Sequence, residues 1–108
     1  MRITEAYPLK RQRIYGMKWI EVIKISIAEN RRAALEEQIA LIISNLKAEK
    51  SAERLKLYQN IQDGDFSIHL CWSNGKADLR GSRTGLCLVH LLKEFGLTSH
   101  SVWVEKGT

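Results

Sequence analysis

At 108 residues, with 44% hydrophobic and 27% charged side chains, the chain is long enough for one domain and can bury a core, though one so small that it leaves much surface exposed unless it oligomerises. Cys71 and Cys87 stand sixteen positions apart, outside any Cys-x-x-Cys or His-x-x-x-His spacing, which argues against structural zinc and a disulfide framework and leaves two reduced thiols. The formal charge of +5 sits almost entirely at one end: residues 1–18 carry five basic side chains against Glu5 alone, and the remainder has twelve basic and eleven acidic residues. The reading is therefore a basic leader over residues 1–16, ahead of a nearly neutral domain over 17–108, with Met17 an alternative start. No apolar run is long enough to span a membrane or to follow the basic N-terminus as a secretory signal, so a cytoplasmic protein is expected.

The first strand runs from Lys18 to Ile27. Trp19, Ile23, Ile25 and Ile27 share one face, and Ile20, Val22, Lys24 and Ser26 the other. Apolar residues on both faces imply cover on both, a helix layer on one side and a further layer, such as a second sheet, on the other. Glu29 and Asn30 open the first helix, with Asn30 placed to cap it, and Leu35, Ile39, Ile42, Ile43 and Leu46 recur at helical spacing. Charged residues from Lys47 to Arg54 read as the helix end and a connector.

Between Leu55 and Ser73 lie two strands joined by a turn at Gln62-Asp63-Gly64-Asp65. In the second of them Phe66, Ile68, Leu70 and Trp72 alternate with Ser67, His69 and Cys71. A loop with Gly75, Gly81 and Gly85 then leads to a second helix, for which Ser82 or Thr84 supplies the N-cap and Gly96 the C-cap. Its stripe is Leu88, Leu91, Leu92 and Phe95, with His90 facing out. The last strand is Ser101 to Glu105, with Val102 and Val104 opposed to Trp103 and with His100 at its entry, facing solvent or a partner.

The order βαββαβ is the ferredoxin-like α+β plan, two helices on one face of a four-stranded antiparallel sheet. Its second sheet face needs cover, and two such sheets facing one another close a barrel. Asp63-Gly64-Asp65-Phe66, Trp72-Ser73, Phe95-Gly96-Leu97 and Ser101-Val102-Trp103-Val104-Glu105 are the runs in which the chain resembles the dimeric α+β barrel proteins, and more closely the antibiotic biosynthesis monooxygenase-like group, over about residues 17 to 106. The resemblance implies a homodimer with a pocket between helices and sheet and, among characterised members, oxidation of small aromatic or quinol-like compounds without metal or flavin. A related branch degrades heme with an Asn on the first strand and a His on the second helix; residues 18–27 contain no Asn and His90 projects outward, so that activity is not expected.

On this resemblance Trp72 lines the pocket as an aromatic wall with one N–H donor, and Phe66 and Leu70 shape its apolar floor; the competing role for Trp72 is a plain core aromatic. On the opposite face, His69 and Cys71 sit two apart, a spacing that pairs imidazole with thiol for nucleophilic or metal chemistry, or simply lines a dimer interior. Tyr58 and Asn60 offer a phenol and an amide to a ligand or an interface. Gly81-Ser82-Arg83-Thr84-Gly85 at a helix start either holds an anion or only caps the helix. No catalytic base is identifiable, so a non-catalytic ligand-binding or assembly module of the same fold is the alternative. Ser67, His69 and Cys71 occupy the positions where an RNA-binding sheet of this order needs stacking aromatics, which argues against nucleic acid.

Overall fold

The computed structural model describes residues 18–49, 54–73 and 77–107. The leader, the Met17 start and parts of both connectors lie outside the described residues. The elements are β1 (Trp19–Ile27), α1 (Arg32–Glu49, entered through a 3-10 turn at Glu29–Arg31), β2 (Arg54–Gln59), β3 (Phe66–Trp72), α2 (Arg83–Leu92) and β4 (Gly96–Val104). All strand pairs are antiparallel and the order across the sheet is β2-β3-β1-β4, the ferredoxin-like arrangement that the alternation and the helix spacing imply.

The helices cover the face that carries Ile23, Ile25 and Ile27 of β1 and Phe66, Ile68 and Leu70 of β3. Leu35 and Ile39 of α1, Leu88 and Leu92 of α2, and Phe95 complete this core. Each such side chain withdrawn from water contributes about 1.5–3 kcal/mol. Arg32 ties the start of α1 to the hairpin loop, donating to the carbonyls of Gly64 and Asp63. In that loop Gly64 adopts φ +78°, where a side chain is strained.

Several boundaries differ from the sequence reading, each for a local reason. Asn30 caps nothing: the 3-10 turn begins after Ala28 and has no side-chain cap. Gly96 does close the helical segment, as the C-cap of a 3-10 turn at Lys93–Phe95 that continues α2, but with an extended φ of 162° and not in the left-handed conformation. It opens β4, five residues before the expected Ser101, because residues 96–100 pair with Ile23 to Ile27 of β1; a Cβ at Gly96 would run into the Ser26 carbonyl of that strand. Leu91 is 50% exposed and not in the core. It borders a groove of about 460 Å³ between α1 and α2, lined also by Ile42 and Leu46, where the two helices stand apart.

Candidate functional site

The alternation that buries Ile23 and Ile25 carries Glu21 to the same face, where it is 0% exposed. A carboxylate removed from water costs several kcal/mol unless donors replace its hydration. Three do so here, each from a different segment. Trp72 at the end of β3 donates its indole N–H to Glu21 Oε2 at 2.9 Å. The Ser82 amide donates to Oε1 at 2.9 Å, and His100 Nε2 on β4 meets the same oxygen at 2.8 Å.

Two glycines leave room for this carboxylate. A Cβ on Gly85, in the first turn of α2, would overlap Glu21 Oε1, and one on Gly81 would meet both His100 and Glu21. Gly81 also adopts φ +90°. Ser82 is the N-cap, its Oγ accepting from Gly85 N at 2.9 Å, while its own amide turns toward Glu21. The loop read as either an anion site or a plain helix cap does cap α2, and its Ser82 amide also faces the Glu21 carboxyl at the positive end of that helix.

Pinned by Glu21, the Trp72 indole stacks on Trp19, with centroids 5.4 Å apart and planes 18° from parallel. The pair borders a cavity of about 350 Å³ at the end of the sheet, whose other walls include Ile20, Cys71, Trp103 and Val104. This cavity takes residues from both sheet faces. Phe66 and Leu70 are not beside it: Leu70 is fully buried in the core, and Phe66 lies at the other end of β3, bordering a second cavity. Trp72 lies six positions beyond Phe66, about 20 Å along a strand.

On the open face Tyr58 tilts against His69, ring centroids 4.6 Å apart. His69 Nε2 lies 3.1 Å from Ser67 Oγ, so the imidazole engages the hydroxyl two residues before it. Its pKa is lowered from 6.5 by burial and by the positive charges of Lys24 and Lys56. Cys71 shares this face in the next row, opposite Ile20 and Arg54. Asn60 is a turn residue: its side-chain oxygen accepts the amides of Gln62 and Asp63 at 2.8 and 3.1 Å.

His100, expected at the surface, has a side chain only 14% exposed and is paired with Glu21. Neither member of this pair was singled out from sequence, although both were readable there. Glu21 sits at an apolar position of the first strand's alternation, and His100 falls on the Val102–Val104 face once that strand is extended backward.

No family model and no curated protein matches the chain. Its structure is similar to that of Rv0793 from Mycobacterium tuberculosis, with a TM-score of 0.62 over 84% of this chain and 97% of the other, at 15% sequence identity. At that identity the likeness is one of fold.

Proposed function

We propose that the chain acts in the cytoplasm as a homodimeric α+β barrel of the antibiotic biosynthesis monooxygenase-like kind, oxidising a small aromatic or quinol-like compound with dioxygen and without metal or flavin. The observation that carries this reading is the Trp19–Trp72 stack, fixed by Glu21, bordering a cavity of about 350 Å³. A rigid pair of indoles offers a planar ligand an apolar wall, and the volume falls in the range of roughly 300–1,000 Å³ usual for small-molecule sites. In such a reaction the substrate supplies the electrons: one oxygen atom enters the ring system and the other leaves as water. The chain's part is to hold the ring against the stack and to exclude bulk water.

The second subunit belongs to the proposal because no described residue covers the sheet face opposite the helices. Trp103 is 60% exposed and Leu97 81% exposed on it, with Ile20 and Val22 between. Oxygen uptake over the enzyme-free rate, measured on 1,4-naphthoquinol and related quinols with wild type and Trp72→Phe, tests the chemistry. Uptake reduced in the variant supports it; none above background on any substrate removes the enzymatic claim.

A second reading, a ligand-binding or assembly module without catalysis, is favoured by one observation. Glu21 and His100 are committed to each other and to packing. Saturable quinol binding without oxygen uptake would select it.

A further inference from the structure

The registers of the three strand pairs bring Tyr58, Ser67, Lys24 and Ser99 into one row across all four strands, on the face away from the helices. Every side chain in the row is a donor, three hydroxyls and one ammonium. Adjacent strands are about 4.8 Å apart, so the row runs for roughly 14 Å. All four residues line a cavity of about 520 Å³, distinct from the one beside Trp72. The next row adds Lys56 and His69.

No acidic side chain occupies a strand position on this face among the described residues. Among the described residues Lys24 and Lys56 have no ion pair, and their charges add to burial in lowering the His69 pKa. Two carboxylates lie at the rim of the cavity, both engaged elsewhere. Asp65 Oδ1 accepts the Ile27 amide at 3.0 Å and faces Arg32 at 4.0 Å, and Asp63 Oδ1 accepts the Asp65 amide at 2.9 Å.

We infer that this row is a binding site for the oxyanion of a small molecule, a carboxylate or a phosphate monoester, held by Lys24 with the hydroxyls of Ser67, Ser99 and Tyr58. Charge-assisted hydrogen bonds of this kind are the strong ones, and a row with one ammonium, three hydroxyls able to donate and no carboxylate among its strand positions favours an anion. The inference goes beyond the oxygenase reading and does not depend on it. Should a second copy close over this face, the two rows meet inside the barrel, and a bound anion supplies the negative charge that neither copy provides.

The test is calorimetric titration of the full chain with inorganic phosphate and, separately, with benzoate, at an ionic strength held constant by chloride. One saturable site per chain is expected, with the tighter anion identifying the source as phosphate or carboxylate. Lys24→Gln should weaken it about tenfold or more, the equivalent of one charge-assisted bond of roughly 1.5 kcal/mol. Lys47→Gln, an exposed charge in the last turn of α1, should leave it within about twofold, since exposed charges screened over a Debye length act weakly. Lys24 is itself exposed, so its variant keeps the strand, and near-ultraviolet circular dichroism checks this. Absence of saturable heat for both anions overturns the inference. So does equal weakening in the two variants, which is the mark of unspecific attraction to net positive charge.

Discussion

Replacing Gly85 with alanine isolates the buried carboxylate, because two physical effects of opposite sign meet at that position. Gly85 lies in the first turn of α2, and helix propensity alone would make alanine about 1 kcal/mol more stable. Its Cβ, however, would overlap Glu21 Oε1, and that carboxylate is 0% exposed and held by three donors. Forcing a methyl into a packed interior costs about 1–3 kcal/mol, and pushing the carboxylate off its donors adds the cost of buried groups left unsatisfied, about 1–3 kcal/mol. The net expectation is destabilisation by about 2 kcal/mol or more. With a urea m-value of about 1–1.5 kcal/mol/M for a domain this small, the midpoint should fall by roughly 1–2 M. In a Glu21→Ala background the same substitution should be neutral or favourable, giving a coupling energy of about 2 kcal/mol. Equal effects in the two backgrounds, or a stabilised single variant, would refute the reasoning.

Further expectations concern the same site and the open face. Trp72→Phe keeps a ring against Trp19 but removes the donor to Glu21 Oε2, and urea unfolding should register a loss of about 1.5–3 kcal/mol. His100→Ala removes one of the three donors to the buried carboxylate and should cost about 1.5–3 kcal/mol, a fall of roughly 6 °C or more in midpoint by calorimetry. His69 is held below 6.5 in the folded chain, so on acidification the unfolded chain binds that proton first. Its contribution to stability is therefore complete above pH 6.5 and declines as pH falls from there toward the lowered folded value; His69→Gln should flatten that part of the urea-midpoint profile relative to wild type. Asn60→Ala removes two turn hydrogen bonds and should destabilise the fold by about 1–2 kcal/mol while leaving quinol binding unchanged; altered binding with unchanged stability would return Asn60 to the ligand.

Much of the architecture follows from period-two alternation in the first and third strands, where burying one face leaves no choice of register. The ferredoxin-like order was legible for that reason, and so was the division of the third strand into Phe66, Ile68 and Leu70 on the core side and Ser67, His69 and Cys71 on the other. The fourth strand was legible only in its second half. Leu97-Thr98-Ser99-His100 lacks an apolar alternation, and it becomes strand through pairing with Ile23 to Ser26. That shortfall concealed the site. With His100 read as a loop residue, Glu21 had no visible partner, and the spacing of Gly81 and Gly85 carried no meaning until a carboxylate stood between them. Contacts separated by 79 residues are set by tertiary packing, to which local spacing is blind.

The proposal that a planar aromatic compound rests against the Trp19–Trp72 stack is tested most directly by anaerobic fluorescence titration with 1,4-naphthoquinol, compared between wild type and Trp72→Ala. Saturable quenching in wild type, with half-saturation between about 1 μM and 1 mM, and its loss in a variant shown to be folded, is the predicted result. Quenching that is absent, unsaturable or identical in the two proteins would contradict it.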